Sequence, residues 1–483
     1  MLFYSTGFIF LFLPTTLLVY FYLNQKGLTI ASKAWLVFAS LVFYSWWNIK
    51  YLPLILCSIT FNYAAGAELS REEDNRFASK ISKRVILIVG VASNLVLLGY
   101  YKYSNFFVSN INRLFDLKFP ALNIILPLGI SFFTFTQITY LVDAYKGKVT
   151  GRNYLNFSLF VTFFPHLLAG PIIHHKEMMP QFDRLRAKIF SHKNFAIGLF
   201  LFALGLFKKV VIADTFAVWV NQGFDLMQRL DFFQAWTTSL AYTFQLYFDF
   251  SGYTDMAIGL ALMFNIILPA NFNSPYKSFD IKEFWQRWHI TLGKFLKDYI
   301  YIPLGGNRKG KLATYSNLMI TFLIGGLWHG AGWLFILWGS LHGLALIINR
   351  FLGDFKLKMN KGLAWFFTFN FVNIAWIFFR ARDWGSAVKV LSGMCNIIPM
   401  FHPHHFELNT ILSKLTILDE SFRTAFMFTS AFLVVLLFKN STQLAADFKP
   451  GPKYLIMTIF LITSSVLFKL YFVNASPFIY FNF

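Results

Sequence analysis

Gly325-Gly326-Leu327-Trp328-His329-Gly330-Ala331-Gly332 sits near the middle of the stretch Lys311–Arg350, whose 38 intervening residues include no Asp, Glu, Lys or Arg. At 1.5 Å per residue one helix of that length would reach roughly 57 Å, against roughly 30 Å of bilayer hydrocarbon. The stretch must therefore break. Four glycines in eight residues mark the place, because glycine weakens a helix and lets backbones approach closely. Irregular backbone at membrane depth survives only where protein buries it or a wet cavity solvates it. The sequence thus predicts an imidazole, His329, held at a helix break inside the membrane.

The rest of the chain agrees with that setting. Of 483 residues, 57% are hydrophobic, 20% aromatic and 13% charged, with a mean hydropathy of +0.54. A soluble domain carries about 25% charged residues, so the composition points to a polytopic, all-α membrane protein. Its net charge of +21 falls in loops between apolar runs. That is the pattern of cytoplasmic basic loops against anionic lipid, and it argues against a nucleic-acid partner. Two cysteines, Cys57 and Cys395, offer neither a disulfide framework nor metal spacing.

Apolar runs are expected to span near Met1–Leu23, Ala34–Trp47, Tyr51–Ala67, Val85–Tyr101 and Ile124–Val142. The first has no cationic leader and reads as a retained span, not a signal peptide. Tyr154–Ile173 contains Pro165 and Gly170-Pro171 and should break or re-enter. Phe195–Val220 contains Lys208-Lys209 and Asp214, which suggests a membrane boundary inside it. Later spans are expected at Leu363–Phe379, Phe422–Phe438 and Tyr454–Val473. About ten to twelve spans in one integral domain over residues 1–483 is the resulting architecture.

Phe279–Tyr301 differs in kind. Plotted at 100° per residue, an arc of about 140° holds Phe284, Trp285, Trp288, His289, Leu292, Phe295, Leu296 and Tyr299, and the opposite side is basic. This predicts one amphipathic helix that lies in the interface or dips into the protein. From Lys277 to Lys311 there are eight Lys/Arg against three Asp/Glu. Arg287, Lys294, Lys297, Arg308 and Lys309 are therefore the candidate entrance for an anionic donor, with a plain lipid anchor as the alternative.

Four blocks occur in order: Phe248-Asp249-Phe250-Ser251-Gly252-Tyr253-Thr254-Asp255, Glu283-Phe284-Trp285-Gln286-Arg287-Trp288-His289, Tyr301-Ile302-Pro303-Leu304-Gly305-Gly306-Asn307-Arg308 and Gly326-Leu327-Trp328-His329-Gly330-Ala331. Together they resemble the membrane-bound O-acyltransferase family, in particular its bacterial branch of alginate O-acetylases and peptidoglycan O-acetyltransferases. Leu126-Pro127-Leu128-Gly129, Phe164-Pro165-His166-Leu167 and the tail Pro477–Phe483 extend the likeness. The resemblance implies a helical bundle around a central tunnel, with a core at roughly 120–380 and C-terminal helices and an aromatic tail at 420–483. It further implies a multi-pass protein of the bacterial inner membrane that moves an acetyl group from a cytoplasmic thioester, acetyl-CoA, with no bound cofactor. A separate periplasmic partner would complete O-acetylation of a secreted or cell-wall polysaccharide, alginate-type exopolysaccharide being favoured and peptidoglycan the alternative. In this family the histidine matching His329 is taken as catalytic and the one matching His289 as a second important histidine.

Residue chemistry supports that assignment. An imidazole with an ordinary pKa near 6.5 is a usable base near neutrality, and acyl transfer to a hydroxyl needs a base within hydrogen-bond reach. Trp328 and Trp288 flank the two histidines. His342 and His166 are expected to satisfy helix breaks. Asp249 and Asp255 are intramembrane carboxylates and should be paired; a shared dyad would need a bend at Gly252, and orientation of a histidine is the other option. His174-His175 and His402-Pro403-His404-His405 lack carboxylate or cysteine company at ligand spacing, so no metal is expected. The C-terminal aromatics read first as an interface anchor. They also resemble the tyrosine-bearing end of a small peptide in teichoic-acid D-alanylation systems, which makes Tyr480 a candidate acyl relay. A transporter or polysaccharide-export component without covalent chemistry is the rival class, since broken helices and buried aspartates fit it too.

Overall fold

The computed structural model describes residues 1–71, 81–149, 153–355, 359–396 and 410–471, together with 476, 478 and 479; for 410–420 it describes the backbone alone. Among these residues the regular structure is entirely helical. Seven helices are long and apolar enough to cross a membrane: Phe8–Gln25, Ile49–Leu69, Lys83–Phe115, His192–Leu226, Trp333–Asp354, Lys361–Arg380 and Pro452–Tyr471. Thr29–Ser45 and Ser421–Leu437 are shorter apolar helices.

At the centre runs Phe232–Met263, 32 residues started by a capping box between Asp231 and Gln234. Apart from its first turns it is buried almost all round, as a helix apolar on every side must be. It packs backbone to backbone against His192–Leu226 through two glycine pairs seven residues apart. A Cβ on Gly205 would stand 2.4 Å from the Gly252 carbonyl oxygen, and one on Gly198 would stand 2.6 Å from that of Gly259. Small residues are what allow such an approach in a membrane bundle. Gly252 therefore sits at a helix crossing, inside an unbroken helix.

Three sequence expectations change here. His192–Leu226 is one helical run, with a π-helical stretch at Lys208–Ala213. Lys209 and Asp214 are buried inside it and paired with each other, so their charges are met within the protein. The run Ile124–Val142 becomes helical only at Ile130, because Gly129 caps it in a left-handed conformation with φ 70. The expected helix over Phe279–Tyr301 is three pieces: Ile281–Arg287, Ile290–Leu296 and a π-helical turn at Lys297–Tyr301.

The breaks expected elsewhere are present. Tyr154–Thr162 ends at Phe163, and Phe164–Leu167 restarts with its first N–H donated to Ser40 Oγ at 3.1 Å. The uncharged stretch divides into Gly310–His329 and Trp333–Asp354. Each is long enough to span at about 30 Å. The glycine-rich link is thus the tip of a helical hairpin, with His329 as its last helical residue. Gly326 and Gly339 let the two legs touch, since a Cβ on Gly326 would meet the Phe335 carbonyl oxygen at 2.3 Å.

Candidate active site

His329 ends its helix where the last carbonyls need partners. Lys102 and Tyr103, from a π-helical turn at Gly99–Tyr103, supply them. The Lys102 ammonium binds the Trp328 carbonyl and reaches that of His329 at 3.3 Å, while the Tyr103 hydroxyl donates to Leu327 O at 2.7 Å. The His329 ring is buried, with Trp328 at 4.9 Å, Trp338 at 5.1 Å and Phe379 at 5.0 Å. Gly330 is required at the tip because a Cβ there would overlap the Phe335 ring at 2.1 Å.

His289 is 0% exposed and sits at the break between Ile281–Arg287 and Ile290–Leu296, with φ 43. A residue in the left-handed region stops the first helix and turns the imidazole into the core instead of leaving it at the edge of an apolar face. The chain 271–273 straps this break: Ile290 N donates to Asn271 O at 3.0 Å and Asn273 N to Arg287 O at 2.9 Å. The Asn271 side-chain oxygen meets His289 Nδ1 at 3.1 Å and accepts from Thr291 N and Thr291 Oγ1 at 3.2 and 2.9 Å. The indole of Trp328 contacts both imidazoles, 4.9 Å from His329 and 6.2 Å from His289. Trp288 forms the wall behind, against Phe272 and Trp376, both at 5.0 Å.

Among the described residues Asp249 and Asp255 form no dyad, and each carboxylate meets a lysine and not a histidine. Adjacent lysines on the π-helical stretch take one each: Lys209 Nζ lies 2.8 Å from Asp249, and Lys208 Nζ lies 2.7 Å from Asp255. Lys209 also reaches Asp214 at 2.9 Å. The C-terminal tail docks on this cluster. Ser476 O accepts from Lys209 at 2.9 Å, Ser476 Oγ donates to Asp214 at 2.6 Å, and Ile479 N donates to Asp249 Oδ2 at 2.9 Å. Phe478 is fully buried and stacks on Tyr253 at 4.2 Å. For Phe478 and Ile479 the interface-anchor reading is therefore wrong. Tyr480 lies outside the described residues.

A cavity of about 850 Å³ opens beside the basic segment, lined by Lys282, Lys294, Lys297 and Arg350 among others. Of the five cations expected at the entrance only Lys294 and Lys297 line it. Arg287 is engaged by Glu283 at 2.7 Å, and Arg308 and Lys309 lie outside the lining. The inner wall carries Trp285, which touches Trp338 at 5.8 Å, and Trp338 touches His329. His342 lies within the regular helix Trp333–Asp354, so it satisfies no break; its Nδ1 accepts from Trp285 Nε1 at 3.2 Å.

His174 and His175 face Asp143 at 3.9 and 3.4 Å, and Tyr299 donates to the same carboxylate at 3.1 Å. Burial pushes the Tyr299 phenol up, and the Asp143 charge adds to it. Among the described residues no group of three or more His, Cys, Asp or Glu could hold a metal ion; His402, His404 and His405 lie outside them. Sequence reasoning missed Lys102 and Asn271. Lys102 was detectable as a lysine inside an apolar run, whereas Asn271 sits in an ordinary-looking turn sequence.

The membrane-bound O-acyltransferase family model matches residues 17–382. The chain is 51% identical to a peptidoglycan O-acetyltransferase of Helicobacter pylori, over 82% of this chain and 80% of the relative. It is 42% identical to a protein named "Probable alginate O-acetylase AlgI" of Pseudomonas aeruginosa, over 82% and 75%. A teichoic acid D-alanyltransferase of Bacillus subtilis is 27% identical over 51% and 63%. These likenesses decide between covalent chemistry and transport in favour of the former. A broken, glycine-built hairpin that buries a histidine, the ordered motif blocks and the matched family profile agree: the chain is a multi-pass acyltransferase that belongs to the membrane-bound O-acyltransferase family.

Proposed function

We propose that this protein works in the bacterial inner membrane, drawing an acetyl group from cytoplasmic acetyl-CoA for O-acetylation of a cell-wall polysaccharide. The observation that carries the reading is the pairing of His329 and His289 around Trp328, with a cation-lined cavity on the other side of the Trp285–Trp338 contact. A phosphate-bearing thioester suits that cavity in charge, and about 850 Å³ is within the range of small-molecule sites. In the reaction His329 takes the proton of an incoming hydroxyl as its oxygen attacks the thioester carbonyl. The C–S bond breaks, and the thiolate leaves with that proton. Peptidoglycan is favoured over alginate-type exopolysaccharide by the identity of 51% against 42%; the alginate reading stays as the second, since its relatives match over as much of the chain.

The first acceptor in this reading is Tyr480. A phenol of pKa near 10 leaves more readily than a sugar alcohol, so an acetyl-tyrosine stays activated for a periplasmic partner protein to pass on. The residue before it, Ile479, is buried and tied to Asp249, which supports a tail directed inward. His329→Ala should remove 10²–10⁴ of the acetylation rate, roughly what a general base supplies. Base-labile acetate on the polymer, with protein abundance measured alongside, reads it; near-normal acetate would exclude His329 as the base. Tyr480→Phe keeps the ring and loses only the hydroxyl, and undiminished acetate in that variant would end the relay.

A further inference from the structure

We infer that Asn271 is a positioning residue that fixes the tautomer of His289, so that Nε2 carries the lone pair and His289 acts as a hydrogen-bond acceptor. The argument is one of donors and acceptors. A peptide N–H can only donate, so Thr291 N, 3.2 Å from the Asn271 side chain, requires an oxygen there. Flipping the amide would set NH2 against N–H. Thr291 Oγ1 receives the Ile172 amide at 3.0 Å and so turns its own hydrogen to the same oxygen at 2.9 Å. The amide is oriented from two sides. His289 Nδ1, 3.1 Å from that oxygen, must then carry the hydrogen, because a carbonyl oxygen accepts and does not donate. Full burial of the ring favours its neutral form, and in a neutral imidazole a proton at Nδ1 makes Nε2 the acceptor.

Two roles are open to a second histidine in acyl transfer: donor to the oxygen that becomes negative, or acceptor that orients the attacking group's hydrogen before His329 takes it. A neutral His289 with an unprotonated Nε2 fills only the second. The stabilising donor for the acyl oxygen must come from another group. The buried position of Asn271, 1% exposed on a strap that also holds both ends of the helix break, makes this orientation rigid.

This rests on the reading that His289 belongs to the acyl-transfer site, and the test separates the two. Asn271→Leu keeps the volume and removes the acceptor; it should lower polymer acetylation about 10- to 100-fold, the usual range for a residue that orients a functional histidine. Asn271→Asp keeps an oxygen facing the same donors and should restore activity to within a few-fold. Equal losses in the two variants, or full activity in Asn271→Leu, would overturn the inference. The 15N spectrum of histidine-labelled protein, with His289 assigned by difference against His289→Gly, should show a neutral ring protonated at Nδ1. An Nε2-protonated ring would overturn the tautomer even if Asn271→Leu fails to accumulate. Full acetylation in His289→Gly would instead remove His289 from the reaction and leave the tautomer assignment standing.

Discussion

The ammonium of Lys209 lies 2.8 Å from a carboxylate oxygen of Asp249, with 1% and 0% of the two side chains exposed. Asp214 is a second carboxylate on the same cation at 2.9 Å. Two buried carboxylates share one lysine, and tail groups at Ser476 and Ile479 hydrogen-bond to the cluster. Removing one partner of such a pair strands the other. Lys209→Met should therefore cost about 3–5 kcal/mol and reduce the folded protein in membranes. Adding Asp249→Asn to it should recover part of the loss, as thermal unfolding in detergent would measure.

The helix crossing gives a sharper steric prediction. Gly205→Ala sets a methyl 2.4 Å from the Gly252 carbonyl oxygen and 2.7 Å from Met256 N, both backbone atoms that cannot swing aside. Overpacking of this kind costs about 1–3 kcal/mol. Gly353→Ala, with nothing within 4 Å, should be neutral or slightly stabilising because alanine favours a helix. The melting temperature should fall for Gly205→Ala and stay level or rise slightly for Gly353→Ala.

Charge at the cavity should act on donor binding and leave the chemistry alone. Lys297→Met and Arg350→Met each remove a lining cation and should raise the KM for the thioester by about fivefold or less, the scale of a partly solvated charge pair. Lys294 is already engaged by Glu177 at 2.6 Å, so its loss should matter less. Arg308→Met, outside the lining, should leave KM unchanged. Steady-state kinetics with varied donor separates these; a uniform effect of all four would point to surface charge alone.

Lys102 offers a test of the cap on the His329 helix. Lys102→Met leaves the carbonyls of Trp328 and His329 without their donor and should cost about 1–2 kcal/mol. Acetylation should fall further than stability does, because the frayed turn is the one that carries His329. Lys102→Arg should retain most of both, with polymer acetate and unfolding temperature as the paired readouts.

Much of this was legible in the chain and the rest has a common cause. The uncharged length of Lys311–Arg350 announced a break, and four glycines located it to within a residue of His329. The apolar arc on Phe279–Tyr301 identified which side chains enter the core, yet not that the helix stops at His289. That stop is enforced by Asn271, 18 residues upstream, whose side chain competes for Thr291 N. The partners of Lys209 come from Asp249 and from the tail 267 residues away, and Lys102 caps a helix end 226 residues away. Periodicity reports on neighbours along a helix. It carries no information on which distant group fills a vacant hydrogen bond, so Lys208, Lys209 and Asp214 read as a boundary although each has a partner in the fold.

The left-handed backbone at His289 has a consequence for how this enzyme should be dissected. Most side chains resist φ 43, by roughly 1–2 kcal/mol relative to an ordinary helical residue, and glycine does not. An alanine there would forfeit the imidazole and keep the conformational penalty, so an alanine scan would mix lost chemistry with lost folding. Glycine gives the cleaner deletion. The difference in yield between the two replacements reports how firmly the surrounding strap holds the bend, a quantity that no activity assay alone would isolate.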